Sequence, residues 1–189
     1  MPTTIQYRGA QTAQEIQAIL ALQQANLARN ISPAEVLEQG FVTVEHDLDL
    51  LAEMNHPYGH TIAKADAEVA GYVLTMTPAF RERIPVLEPM FALFEQLTWQ
   101  GRSVADINYV VMGQVCVAKA FRGQGVFAGL YHSMQERMAP HFELIITEIS
   151  ARNPRSLRAH AKVGFTEMHH FQSPDGEQWV VVGLETRRK

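Results

Sequence analysis

The chain has 189 residues, 47% hydrophobic and 19% charged, which fits one globular domain over residues 1–189 and leaves no room for a second large one. Its formal net charge of −4 gives no field for nucleic acid or an anionic membrane, so any anion must be held by locally placed groups. No stretch reaches the roughly twenty apolar residues that span a bilayer, and the opening segment lacks the pattern of a signal peptide. Cys116 is the single cysteine, so no internal disulfide can form, and a cytoplasmic home is the simplest expectation.

Thr4 to Arg8 reads as a short edge strand. Thr12 opens an amphipathic helix to about Arg29, with Ile16, Ile19, Leu20, Leu22 and Leu27 near helical spacing. Glu15, three residues after Thr12, completes a capping box. Ser32-Pro33 begins a second short helix that Gly40 ends. Phe41 to Val44 is brief and β-like, Asp47 to Met54 is helical, and Asn55 to Gly59 is loop. Thr61 to Lys64 and Val69 to Thr77 form a hairpin around Ala65-Asp66-Ala67.

Residues 78–103 are broken by Pro78, Pro85 and Pro89, with a helix expected from Glu88 to Trp99. Ile107 to Val117 is the strongest strand, almost wholly apolar and therefore central. Gly113 within it predicts a bulge or a close backbone approach. A helix from about Gly125 to Met138, a strand from Leu144 to Ser150 and a helix from Pro154 to Val163, closed by Gly164, follow. Strands Thr166 to Phe171 and Gln178 to Glu185, joined by a turn at Ser173 to Gly176, complete the pattern. Thr186 to Lys189 is expected to fray.

Arg122-Gly123-Gln124-Gly125-Val126-Phe127-Ala128 follows the best strand and opens a helix. Glycine lets the backbone turn tightly and approach a ligand, while the free amides of the helix start point outward with the positive end of the dipole behind them. A diphosphate is the natural guest, and Arg122 adds a charge-assisted contact. No Gly-Lys-Ser or Gly-Lys-Thr follows, which excludes a Walker loop. Gly123, Gly125 and Ala128 do have the spacing of a dinucleotide fingerprint, but too little chain follows for both halves of a doubly wound fold.

The later segment Asn153-Pro154-Arg155-Ser156-Leu157-Arg158-Ala159-His160-Ala161-Lys162-Val163-Gly164-Phe165, taken with the glycine turn, resembles the two signature segments of the GNAT superfamily of N-acetyltransferases. Arg122 and Gly125 match the first pattern, and Phe127 departs from it. Asn153, Gly164 and Phe165 match the second. The resemblance covers residues 106–170 well, and the first hundred residues only in the order of their elements.

The resemblance implies an α/β (α+β) mixed sheet, the acyl-CoA N-acyltransferase fold, whose two central parallel strands splay apart around acetyl-CoA. Backbone groups of Val115, Cys116 and Val117 would bond the pantetheine as an added strand does. Gly123, Gln124, Gly125, Val126, Phe127 and Ala128 would cradle the diphosphate, with Asn153 and Ser156 on the other side. Asn153 serves equally well as a helix N-cap before Pro154. Cys116, inside an apolar run, reads more readily as a packed residue than as a nucleophile.

Direct acetylation of an amine needs an unprotonated nitrogen, a stabilised oxyanion and a proton for the departing thiolate. Many members of the family place a tyrosine seven residues after the Asn as that proton donor. Here the position is His160, which is either the donor or a buried helix residue. Glu148 is the first candidate for the base, ahead of Asp106, Glu53, His56 and His60. No metal-ligand constellation emerges, and His169 and His170 face opposite ways on a strand.

The expected activity is transfer of an acetyl group from acetyl-CoA to a primary amine, most simply a small molecule, with no metal, nucleic acid or membrane as partner. A homodimer is compatible with the sequence. Two alternatives stand beside this: a non-catalytic acyl-CoA-binding or sensing protein of the same fold, and a dinucleotide-binding enzyme. The acceptor is expected between the first helices, the region 41–58 and the insertion 78–103, with Phe41, Tyr58, Phe80, Phe91 and Trp99 as candidate lining.

Overall fold

The computed structural model describes residues 4–32, 34–36, 41–42 and 44–187. Nine strands and five α-helices with described bounds are present: β1 (Ile5–Gly9), α1 (Ala13–Asn26), α2 (Leu48–Met54), β2 (Thr61–Ala65), β3 (Glu68–Met76), α3 (Glu88–Phe94), β4 (Thr98–Trp99), β5 (Arg102–Ser103), β6 (Tyr109–Val117), α4 (Val126–Met138), β7 (Leu144–Ser150), α5 (Pro154–Lys162), β8 (Thr166–Gln172) and β9 (Gln178–Glu185). Most of the expected helix from Ser32 to Gly40 lies outside the described residues.

The main sheet has seven strands in the order β1-β2-β3-β6-β7-β9-β8. Its neighbours are antiparallel except β6 and β7, which are parallel. That pair is joined only at Tyr109↔Leu144, Val110↔Ile145 and Val111↔Ile146. Beyond these residues β6 runs on to Val117 and β7 to Ser150 with no pairing between them, so the centre of the sheet opens as a wedge. A bulge accompanies the opening. Val73 pairs with Val115 and Thr75 with Met112, so β6 carries one residue more than β3 around Gly113 and Gln114, and such an insertion bends a strand and increases its twist.

The alternation of the strands splits the core into two layers. On one face α1, α2 and α3 cover Tyr72, Leu74, Met76, Tyr109, Val111, Ile146 and Val181. On the other, α4 covers Ala63, Val73, Val110, Met112, Ile145, Val180 and Val182. Residues 144, 146, 148 and 150 of β7 share the first face, because successive side chains of a strand point to opposite sides.

The Thr12–Glu15 capping box is present. Glu15 also pairs with Arg8 and Lys64, and chiefly the Arg8 guanidinium holds its carboxyl at about 2. The structure corrects two boundaries. The helix expected to reach Trp99 ends at Phe94, because Gln100 and Gly101 take positive φ of 50° and 80°, the geometry of a tight hairpin turn. That turn folds Thr98–Trp99 onto Arg102–Ser103. Thr186 does not fray: its amide donates to Glu143 O at 3.1 Å and its hydroxyl to Phe142 O.

Candidate active site

The wedge between β6 and β7 opens onto a cleft of about 360 Å³. Its walls are Val115, Cys116 and Val117 of β6, the turn residues Arg122, Gly123 and Gly125, the start of α4 at Val126, Phe127 and Ala128, and Asn153 and Ser156 at the start of α5. Of the residues expected at the cofactor, only Gln124 stands outside it, donating instead to Ala120 O at 2.8 Å.

Gly123 and Gly125 have φ of 78° and 79°, a backbone region that glycine enters without strain. Gly125 is the N-cap of α4 and no side chain caps that end, so the first amides of the helix lack intrahelical partners. Nothing lies within 4 Å of where a Cβ would stand at either glycine. An uncapped helix start facing open space suits an anionic group. Arg155 and Lys162 on α5 also line the cleft, and no carboxylate does among its described residues. The residues present therefore fit a CoA diphosphate.

Arg122 enters this arrangement differently from the sequence reading. Its guanidinium donates to Glu35 at 3.0 Å and to Asn26 Oδ1 at 2.7 Å, while Nε donates to Val117 O at 3.2 Å. The side chain thus ties the turn to the end of α1 and to β6 while it lines the cleft. Asn26, Phe41 and Val42, distant in sequence, complete the wall of the cleft.

Cys116 is buried and its thiol is pushed up to about 12 by desolvation, so it packs and supplies no thiolate near neutral pH. Asn153 Oδ1 accepts the Ser156 amide at 3.0 Å, the N-cap geometry expected of it.

Beyond the cleft, between the parted strands, lies a narrower slot of about 90 Å³ that shares Phe41, Val42, Val115, Asn153 and Ser156 with it. Glu148, His160, Gln114 and Trp179 also line the slot, so both sequence candidates for proton transfer come to one place. Glu148 Oε2 is buried without a hydrogen-bond partner. Desolvation raises its carboxyl from 4.5 to about 7. The amide of Gln114 is engaged at both ends, with Oε1 accepting from Tyr72 and Gln23 and Nε2 donating to Val44 O. These bonds hold the bulge of β6 against the segment that follows Phe41 and Val42.

His160 is 1% exposed. Nδ1 lies 2.8 Å from Ser156 O, so that nitrogen carries the proton, and Nε2 then accepts from the Tyr131 hydroxyl at 2.6 Å. Desolvation lowers the ring to about 4, and it is neutral at physiological pH. Phe127, Tyr131 and Phe165 surround it with ring centroids 5.1–5.2 Å away. The two departures from the family's usual pattern, Phe127 and His160, therefore meet edge to face at 5.2 Å and 87°. Phe127 finds its room against this cluster. His160→Phe is expected to lower stability by about 1–3 kcal/mol, because the buried Tyr131 hydroxyl loses its acceptor. Urea unfolding at pH 7.5 measures it, and an unchanged midpoint would show that this bond contributes nothing.

The other sequence candidates for the base stand outside the slot. His60 is buried and neutral, with Nε2 donating to Leu51 O and Nδ1 accepting the Thr75 amide, and desolvation lowers it to about 4. Glu53 pairs with Arg83, His56 is exposed and Asp106 ends a turn before β6. Of the expected acceptor lining, Phe41 is in the slot. Phe80 and Phe91 are core, Tyr58 packs on His141 and Phe142, and Trp99 lines a groove with Arg102 and Asn108. Among the described residues no three His, Cys, Asp or Glu side chains group to hold a metal ion, and no helix is long and apolar enough to cross a membrane.

A mixed sheet with one parted parallel pair and an uncapped helix start beside it defines an acyl-CoA-dependent transferase fold, not the doubly wound fold of dinucleotide enzymes. The chain belongs to the acetyltransferase (GNAT) family, whose model matches residues 28–165, and is an acetyl-CoA-dependent acetyltransferase. Curated protein sequences contain no significant match. Solved structures agree in fold at low identity. The ribosomal-protein-S18-alanine N-acetyltransferase of Escherichia coli aligns with a TM-score of 0.63 at 11% identity, covering 98% of this chain and 96% of that one. An N-acetyltransferase of Staphylococcus aureus Mu50 aligns at 0.62 and 15% identity, covering 98% and 100%. YncA of Salmonella typhimurium, solved with its cofactor acetyl-CoA, aligns at 0.59 and 15% identity, covering 98% and 95%.

Proposed function

We propose that this chain transfers the acetyl group directly from acetyl-CoA to a primary amine of a small molecule, with Glu148 as the base. The observation that carries the reading is the buried, unpartnered Oε2 of Glu148, whose carboxyl is raised to about 7 at the parted end of β6 and β7. A base poised near the working pH is half ionised when it is needed and holds a proton well enough to take it from an ammonium group. Once the nitrogen is free, its lone pair forms the C–N bond, an N–H proton passes to water as the tetrahedral species collapses, the C–S bond breaks, and CoA leaves as thiolate to be protonated from water. The bound cosubstrate supplies the activated acetyl group.

The backbone amides from Gly125 to Ala128 are assigned to the diphosphate, those of Val115 to Val117 to the pantetheine, and the Asn153 carboxamide to the same arm from the opposite wall. Ser156 lines both cleft and slot, with Oγ 3.2 Å from His160 Nδ1. We assign its hydroxyl to the departing sulfur's side, as the last link to a proton from water. A neutral, doubly bonded ring supports a positioning role for His160 better than that of an acid that loses its own proton. Cys116, held at about 12, gives no support to an acetyl-enzyme.

The test is initial-rate kinetics of thiol release with acetyl-CoA and a panel of primary amines, with products identified by mass spectrometry. Intersecting reciprocal plots and N-acetylated products are expected. Parallel plots would point to a covalent intermediate, and acetyl-CoA binding without thiol release from any amine would sink catalysis in favour of a sensing role.

A further inference from the structure

We propose that the acceptor is a monoamine carried on a slender methylene arm of an aromatic body, an aralkylamine, and neither a polyamine nor an amino acid. This rests on the transfer reading above and names the substrate class of the same slot. The slot, about 90 Å³ beside a cleft of about 360 Å³, is narrow enough to suit an aminoethyl arm that reaches Glu148. Among its described lining residues Glu148 is the single carboxylate and no lysine or arginine is present. One positive charge is matched there. A carboxylate on the acceptor would face Glu148 with no cation among the slot's described lining residues to receive it, a like-charge pair in a desolvated site.

What surrounds the slot argues in the same direction. Trp179 of β9 pairs with Ser150 and Val181 with Glu148, so Trp179 and Glu148 are diagonal neighbours on one face of the sheet. The Trp179 indole N–H is fixed by the Ser173 hydroxyl at 3.1 Å, and Phe41 stands among the slot residues as well. Two aromatic rings next to the single acid offer flat apolar surface to a ring and a π face to an ammonium group. Among the described residues, three further acids that could draw a second charge of a polyamine are paired. Glu177, next to Ser150, is held by that hydroxyl and by Arg152, Glu35 by Arg122 and Lys119, and Glu45 by Arg29.

The experiment compares 2-phenylethylamine, phenylalanine and spermidine as acceptors for the whole protein at saturating acetyl-CoA. Phenylalanine differs from the first only by its carboxylate, and spermidine only by charge and the lack of a ring in any way that bears on the slot. The kcat/KM for 2-phenylethylamine is expected to exceed each of the others by about tenfold or more. Trp179→Leu should raise KM for 2-phenylethylamine by about tenfold with the KM for acetyl-CoA and the unfolding midpoint held. Acetylation of phenylalanine or spermidine in preference to 2-phenylethylamine overturns the acceptor class and leaves amine acetylation standing. No thiol release with any amine overturns both. An unchanged KM in the folded Trp179→Leu protein removes the aromatic wall from recognition and with it this assignment.

Discussion

Glu148→Gln is expected to lower kcat by about 10²- to 10³-fold while leaving the KM for acetyl-CoA within a few-fold. The amide has the same shape and cannot take a proton. In the wild type the acidic limb of the pH–rate profile should fall with an apparent value near 7, the position to which burial raises the carboxyl, and in the variant that limb should vanish from the residual rate. The substitution should also stabilise the protein. The unfolded chain releases the Glu148 proton from about pH 4.5 upward, whereas the folded protein holds it to about 7. Folding is therefore penalised progressively over that window and by a constant amount above it. Glu148→Gln should melt higher than the wild type at pH 8, with the difference closing below pH 4.5. A group kept at a cost to stability is what a functional site leads one to expect. Wild-type turnover in the variant would remove Glu148 from the chemistry.

Gly125→Asp is expected to weaken acetyl-CoA binding by about a hundredfold or more in a protein that still folds. Aspartate is among the residues that tolerate a left-handed backbone, and Gly125 has φ of 79° with open space before it. The positive φ costs the variant some stability, and its carboxylate sets a negative charge before the α4 amides assigned to the diphosphate. Calorimetric titration with acetyl-CoA, read beside a thermal melt, separates the two effects. Undiminished affinity would locate the diphosphate elsewhere.

These two residues differ in how far the sequence exposed them. Gly125 was legible because its meaning is local: a glycine turn between an apolar strand and a helix fixes the backbone, and Asn153 ahead of Pro154 fixes the opposite wall. The mixed sheet with its parted parallel pair was legible only through the resemblance, and the order of its seven strands was not legible at all, since strand pairing is a non-local property. Glu148 could be named as a strand residue near the motif, but its lack of a partner depends on β6 parting from β7 after Val111 and Ile146. The bulge behind that parting had a trace in Gly113.

Other features were invisible for the same reason. Arg122 carries the motif's first position, and its side chain is bonded to Glu35 and Asn26, contacts that no local pattern announces. His160 and Phe127 looked like two separate departures from the family. Packed against each other and Tyr131, they are one coupled change in the α4–α5 contact. The hairpin of Thr98 to Ser103 was hidden because Gln100 takes a positive φ that its residue type does not advertise.

The most direct test of the acetyl-transfer site is a crystal structure of the complex with acetyl-CoA. The diphosphate is expected on the amides of Gly125 to Ala128, the pantetheine between the parted ends of β6 and β7, and the thioester at the slot, with Glu148 within reach of the attacking nitrogen's position directly or through one water. A diphosphate bound away from the glycine turn, or a thioester directed to the opposite end of the sheet, would contradict the account.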